Sequence, residues 1–442
     1  MECSGARNGS VSLMTETVSA VEGYTRRVVD DELDELLTGV SALALEGPKG
    51  VGKTATALGR AGSQHRLDRP ETLQVLRADP ERLLVGPPPV LIDEWQLLPS
   101  SWDLVRRAVD HDASPARFLL TGSASPSGAP THTGAGRIVP VRMRPMSLAE
   151  RGMKPTVSLA DLLTGRRQPV TGLTEVALSD YVDEILAGGF PALRGLPPRA
   201  MRAQLDGYLQ RVIDREFPEQ GVTLRRPDTL RAWMRAYAAA TSTTASYEVL
   251  RDAATPGVGN KPAKSTTLPW RDILTRLWLL DPVPAWLPSR NVFKELASGE
   301  KHQLVDPALA ARLLNVTADK LLQGEASGPS IPRDGTLLGA LFEGLVALNL
   351  RVYAQASEAS VRHVRTHRGD REVDFIIDGG DGVVAVEVKL SATVDERDLT
   401  HVKWLQKTLG DELRDAVVLT TGTEAYRRKD GIAVVPAALL GP

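Results

Sequence analysis

Short apolar runs recur along the first third of the chain and alternate with stretches whose apolar residues fall at helical spacing. Val28–Leu37 (VVDDELDELL) reads as a helix, Leu43–Glu46 as a short strand, and Thr54–Ala61 as the opening of a second helix. Further strands are predicted at Thr72–Leu76, Val90–Ile92, Arg117–Leu120 and Arg137–Met143. Strands alternating with helices imply a parallel sheet covered on both faces. Pro145 and the Gly/Arg-rich stretch Thr164–Gly172 mark a boundary. Beyond it the period is helical, at Leu178–Leu186, Arg199–Glu216, Asp228–Thr241, Ser246–Ala254 and Leu268–Leu280. Ala254–Thr267 is loop chemistry between the last two helices. From about residue 337 the pattern changes once more. A helix at Leu337–Leu350 precedes strand-like runs at Val361–Arg365, Val373–Ile377, Val383–Leu390 and Ala416–Thr420.

These shifts predict an α/β multidomain chain. A Ser/Thr-rich tail over 1–20 precedes a parallel-sheet domain over 21–165, a helical domain over 178–295 and a second α/β domain over 296–442. A chain of 442 residues is too long for one ordinary core. The formal net charge of −2 excludes a generally basic nucleic-acid binder, so any such binding must come from local patches. Cys3 is the single cysteine, so neither an intramolecular disulfide nor a cysteine-based zinc site can form, which suits a reducing cytoplasm. No stretch approaches 18 uninterrupted apolar residues, and the first twenty residues lack the charged start and apolar core of a signal peptide. A cytoplasmic protein without a membrane partner is the expectation.

The strand at Leu43–Glu46 runs directly into Gly47-Pro48-Lys49-Gly50-Val51-Gly52-Lys53-Thr54, a G-x-x-x-x-G-K-T loop. Glycines let backbone N–H groups curl around phosphates, and the following helix points its positive end at them. Lys53 is expected on the β- and γ-phosphates of ATP, with the Thr54 hydroxyl on Mg²⁺. Pro89-Val90-Leu91-Ile92-Asp93-Glu94 is an apolar strand ending in two carboxylates. Asp93 is assigned to the metal, and Glu94 to the attacking water as general base. A third strand ends at Thr121-Gly122-Ser123, where a hydroxyl could sense the γ-phosphate: Ser123 is the choice and Thr121 the alternative. Arg137 could contact the γ-phosphate of its own or a neighbouring subunit, or lie on the surface. No N-K-x-D guanine-reading motif appears, which argues against a GTPase.

In Val384-Ala385-Val386-Glu387-Val388-Lys389-Leu390, residues two apart share a face, so Glu387 and Lys389 project together. Asp374, on the preceding strand, can meet them across the pair. Two carboxylates and a lysine at the end of a sheet suit a Mg²⁺-dependent phosphodiesterase: the carboxylates hold metal, and the lysine positions water or steadies charge. The same residues also suit an amphipathic hairpin with one solvated face. The D…ExK pattern resembles the PD-(D/E)xK nuclease core. Glu343, on the preceding helix, matches the position where many such nucleases add a metal-binding carboxylate. Arg362, His363, Arg365, His367, Arg368 and Arg371 form a local basic patch beside the site.

The chain as a whole resembles the AAA-type P-loop ATPases of bacteria and archaea that end in the domain of unknown function 4143. The shared phrases are Tyr24-Thr25-Arg26-Arg27-Val28-Val29-Asp30, the phosphate loop, Leu91-Ile92-Asp93-Glu94-Trp95-Gln96 and Leu120-Thr121-Gly122-Ser123. Ala135-Gly136-Arg137, Gly188-Gly189-Phe190-Pro191 and Lys301-His302-Gln303-Leu304-Val305-Asp306-Pro307 follow. The resemblance implies a parallel-sheet, AAA-like P-loop NTPase domain, a helical or winged-helix middle and a restriction-endonuclease-like α/β C-terminal domain. No second sensor arginine follows the ATPase core, which leaves the dependence of hydrolysis on a homo-oligomer open.

In the middle domain, Asp281–Pro288 (DPVPAWLP) could form a wing after the helix at Leu268–Leu280, with Lys261 and Lys264 in the basic loop. Arg225, Arg226, Arg231 and Arg235 could track a nucleic-acid backbone. A structural connector is the alternative. The expected function is ATP binding and hydrolysis coupled to a C-terminal domain that engages nucleic acid, DNA rather than RNA, and could cleave it with metal. The competing expectation is a nucleotide-driven switch in signalling or defence whose end domain binds a partner without cutting.

Overall fold

The computed structural model describes residues 23–123, 134–166, 168–255, 261–287, 299–325, 327–333, 335–366 and 371–442. The expected tail over 1–20, and His367 and Arg368 of the basic patch, lie outside the described residues.

The N-terminal sheet contains β1 (Ala42–Glu46), β2 (Ser63–Arg66), β3 (Val90–Asp93), β4 (Phe118–Gly122) and β5 (Ile138–Arg142). Their order is β2-β3-β4-β1-β5, and every pairing is parallel. A parallel sheet is buried on both faces, which is why its central strands read as nearly continuous apolar runs. Leu43, Leu45, Leu91 and Leu119 face the helix Val29–Leu36 and the rest of the molecule. Ala44, Ile92 and Leu120 face Trp102 and Val105 of the helix Ser100–His111. This is the α/β fold of a P-loop nucleotide-binding domain.

The strand expected at Thr72–Leu76 is a helix, Pro70–Ala78. Its branched residues suggested a strand, but Pro70 at the first turn and Glu71 beside it are helix-start chemistry. The strand that completes the sheet is instead the polar Ser63–Arg66 at the edge, where one side carries little apolar demand.

The helices Leu178–Ala187, Pro198–Arg211, Pro227–Ala239 and Tyr247–Ala253 follow the sequence-based expectation closely, whereas the next, Lys264–Arg276, begins inside the expected loop, so Lys264 is helical, and ends before Leu280. The second runs on through a π-helical turn, Val212–Glu216. The segment expected as a wing is tied down over its described part. Val283 is fully buried and pairs with Lys301, and the backbone of Ala285 bridges to His363. Its last residue, Pro288, lies outside the described residues, as do 289–298.

The C-terminal part is a mixed seven-stranded sheet, ordered β7-β12-β13-β11-β10-β9-β8. Its strands are β7 (Gly172–Leu173), β8 (Ser360–Arg365), β9 (Glu372–Asp378), β10 (Val383–Val388), β11 (Leu413–Thr420), β12 (Glu424–Arg427) and β13 (Ala433–Pro436). β6 (Val157–Ser158) pairs with β14 (Leu440–Gly441). Residues 157–173 therefore pack with the C-terminal part, β6 through β14 and β7 through β12, and the expected division at 165 falls inside this segment. The helix Leu337–Ala356 spans 20 residues and is apolar enough to cross a membrane by length and composition, yet 78% of its apolar window is buried inside the protein. It packs against Val29–Leu36, Leu178–Ala187 and Pro307–Leu314, so one apolar core runs through all three parts.

Candidate functional site

The loop after β1 is shaped by Gly47, Gly50 and Gly52, all at positive φ. At Gly47 a Cβ would meet the Met143 carbonyl at 2.1 Å, so no other residue fits between the loop and the end of β5. Lys53 opens the helix Lys53–Leu58 and folds back, donating to the carbonyls of Gly47 (2.8 Å) and Pro48 (2.9 Å). Burial pulls its pKa down to about 8, against the upward pull of Glu94 and Asp93. The Thr54 hydroxyl donates to Asp93 Oδ1 at 2.7 Å, and the Thr121 hydroxyl reaches the same oxygen. A hydroxyl and a carboxylate meeting beside a glycine loop fit a divalent cation bound with a triphosphate. Glu94 sits at φ 58°, a left-handed conformation for a non-glycine residue that turns its carboxylate away from the strand. Ser123 Oγ donates to Glu94 Oε2 at 3.1 Å, and Gln96 binds the same oxygen. Ser123 thus orients Glu94, and Thr121 serves Asp93.

Arg137 is not at this site within its own chain. It precedes β5, whose register with β1 places Ile138 beside Ala42 and Arg142 beside Glu46. The phosphate loop follows Glu46, so Arg137 lies at the opposite end of the sheet, paired with Asp110 at 2.7 Å on the surface. The expected contact with the γ-phosphate of its own subunit is corrected on that ground.

The phosphate loop is braced from its own domain and from the helical part. Arg27 is buried and donates to the Val51 carbonyl (2.9 Å), to the Arg144 carbonyl (2.9 Å) and to Glu150 (2.9 Å). Lys49 pairs with Glu216 of the π turn at 2.5 Å. Phe190 and Pro191 lie against the loop, within ordinary contact of where a Cβ on Gly50 or Gly52 would stand. The same Gly-Gly-Phe-Pro turn is held from behind: the Gly189 N–H donates to Asp306 Oδ2 at 2.7 Å, while Oδ1 accepts from Ala308 N. Lys301, five residues before Asp306, reaches the C-terminal site. A single short strap therefore touches the C-terminal site and the turn that packs on the phosphate loop.

In the C-terminal domain, Glu343, Asp374, Glu387 and Lys389 line one cleft of about 860 Å³, together with Arg333, Arg365, Glu372 and His401. The expected convergence of Asp374, Glu387 and Lys389 is present. Lys389 Nζ donates to Glu387 Oε1 at 2.8 Å, and Asp374 Oδ2 accepts from Val388 N at 2.9 Å. Burial, then the Asp374 charge, pushes the Glu387 carboxyl up to about 8 against the pull of Lys389. Glu343 departs from expectation. Its Oε1 accepts from Lys301 Nζ at 2.9 Å, and the same ammonium lies 3.2 Å from Asp374 Oδ1 and 3.2 Å from Glu372 Oε1. Burial pushes Glu343 up to about 8, with Lys301 pulling against it. Among the described residues no group of three His, Cys, Asp or Glu side chains is arranged to hold a metal. The metal-binding role expected of Glu343 with Asp374 and Glu387 does not fit this arrangement, because a lysine stands among the oxygens.

The basic patch is also smaller than its sequence suggests. His363 is buried, bonds the Gly299 carbonyl at 3.0 Å, and has its pKa pulled down to about 4 by burial and by Lys301. Arg365 pairs with Glu372 at 3.1 Å.

Residues 40–151 match the family of AAA domains, and residues 338–440 match the domain of unknown function 4143. The chain thus combines an AAA-type P-loop domain with a 4143 domain towards its C-terminus. Residues 178–320 match a further domain of unknown function, numbered 8612. Uncharacterized proteins of Mycobacterium tuberculosis and Mycobacterium bovis are each 24% identical to this chain over 441 residues, 98% of its length and 88% of theirs. A Walker-type ATPase of Pyrococcus abyssi aligns in structure with a TM-score of 0.39 and 16% identity, over 67% of this chain and 98% of that one.

Lys301, Asp306, Glu216, Arg27 and Glu150 had no role assigned from sequence. Arg27, Lys301 and Asp306 lie in phrases shared with the wider ATPase group, which is the signal that could have marked them. Glu216 and Glu150 lie outside those phrases, and each acts on a segment more than a hundred residues away.

Proposed function

We propose that this chain hydrolyses ATP and uses the nucleotide state to govern a C-terminal cleft that engages DNA. The observation that carries the first half is the meeting of Thr54, Asp93 and Glu94 beside the glycine loop. In this reading the backbone N–H groups from Lys49 to Thr54 cradle the phosphates, and Lys53 leaves the Gly47 and Pro48 carbonyls for the β- and γ-phosphates. Thr54 and Asp93 hold Mg²⁺, which when bound neutralises phosphate charge. Glu94, oriented by Ser123, accepts the proton of the attacking water. Arg333, Arg365 and Lys389 supply the cleft with cations for a phosphodiester backbone. The strap from Lys301 to Asp306 and the Gly-Gly-Phe-Pro turn support coupling between the two sites.

A second reading, a nucleotide-driven switch with a non-cutting end domain, is favoured by Lys301 among the carboxylates. Cleavage of linear, circular and single-stranded DNA, with Mg²⁺ or Mn²⁺ and with or without ATP, separates the two. Cutting that disappears in Lys389→Ala supports a nuclease. Binding without cutting, with ATPase activity intact, supports the switch. No DNA binding under any condition refutes the DNA assignment.

A further inference from the structure

Lys301 is fixed behind the cleft, on carboxylates that line it. Its side chain is 1% exposed, and its backbone exchanges hydrogen bonds with Val283 at 2.9 and 2.8 Å. The neighbouring His302 is held as firmly, by its N–H on the Thr243 carbonyl (2.8 Å) and its Nε2 on the Ala245 carbonyl (2.7 Å). An ammonium has three donors, and here Glu343, Asp374 and Glu372 each lie within 2.9 to 3.2 Å of it. Burial pulls the Lys301 pKa down, but these carboxylates outweigh it and hold the group well above the usual lysine value. A divalent metal would need some of the same oxygens at roughly 2.0–2.6 Å, in space the ammonium fills. Lys389 meanwhile pairs with Glu387 at 2.8 Å.

We propose that Lys301 is the resident cation of the C-terminal cleft: it stands where a divalent metal would bind, so the cleft engages its phosphodiester ligand without metal, and removing the ammonium opens a divalent-cation site. The ligand half rests on the DNA reading above; the metal half does not. Mn²⁺ binding is followed by electron paramagnetic resonance on the full-length, nucleotide-free chain carrying Thr54→Ala, which disables the phosphate-loop metal. The expected result is no tight Mn²⁺ in this parent and about one per chain after Lys301→Met, lost again when Asp374→Asn is added. Tight Mn²⁺ in the parent that Asp374→Asn removes overturns the proposal, and so does the absence of Mn²⁺ from both proteins. If Lys301→Met folds poorly, its melting temperature is read with and without Mn²⁺. A rise specific to the variant supports the proposal, and no rise overturns it. DNA binding by the wild type is measured in EDTA. Retained binding supports metal independence, and binding restored only by Mg²⁺ overturns it. Failure to bind DNA under any condition removes the DNA reading and leaves the Mn²⁺ result to decide the role of Lys301.

Discussion

Lys53 offers a quantitative test of the nucleotide site through pH. In the free protein its pKa is held near 8 by burial. A bound triphosphate favours the charged lysine, so the pKa of the complex must lie higher, and binding above pH 8 takes up a proton. Affinity is therefore full below pH 8 and is lost as pH rises through that value. With the free-state value near 8, roughly nine-tenths of the lysine is charged at pH 7 and about one-tenth at pH 9. The dissociation constant for ATP should rise about tenfold over that interval, which is about 1.4 kcal/mol. Titration of a fluorescent ATP analogue at half-unit pH steps reads this directly. The nucleotide's own phosphate titrates near pH ~6, below the window. Lys53→Arg, charged throughout, should bind with a flat profile if it binds. A wild-type profile that is flat to pH 9, with binding still abolished in Lys53→Ala, would refute the argument, because the loop would then hold a fully charged lysine before ATP arrives.

Glu94→Gln should keep ATP affinity and lower turnover by roughly 10²–10⁴-fold; normal hydrolysis in a coupled assay removes Glu94 as the base. Asp281 is buried among Arg142, Arg144 and Arg351, which join the end of β5 to the Leu337–Ala356 helix. Burial pushes its carboxyl up, but the three arginines outweigh that and hold it well below the usual range. Its contribution is present above the unfolded carboxylate pKa near ~4 and lost as pH falls through the lower folded value. Asp281→Asn should destabilise by about 3–5 kcal/mol at pH 7, with the deficit to wild type shrinking in acid. A constant deficit in thermal melts down to pH 2 would contradict the pairing. Asp306→Asn keeps the side-chain shape but sets an amide N–H against either Gly189 N or Ala308 N. The expected loss is about 1–3 kcal/mol, with weaker ATP binding through the Gly-Gly-Phe-Pro turn. Unchanged ATP affinity in a folded variant would show that the turn does not support the loop.

What the chain determined on its own is local. The apolar runs of β1, β3 and β4 announced a buried parallel sheet, because strands covered on both faces cannot alternate. The glycine loop, Thr54, Asp93 and Glu94 were legible because each lies in a short motif at the carboxyl end of a parallel strand, β1 or β3. Asp374, Glu387 and Lys389 were legible for the same reason, since period-two geometry and one strand pairing bring them together. What only the tertiary structure decided is which distant charges arrive. Lys301 meets Glu343 and Asp374 across 42 and 73 residues, and no spacing rule reaches that far. Arg137 looked usable until the parallel register placed it at the far end of β5, and His363 looked like a surface cation until the Val283 arm covered it. Residue type and period are written in sequence. The occupant of a buried carboxylate cluster is chosen by packing, which brings a chain segment close enough for its charge to outweigh desolvation.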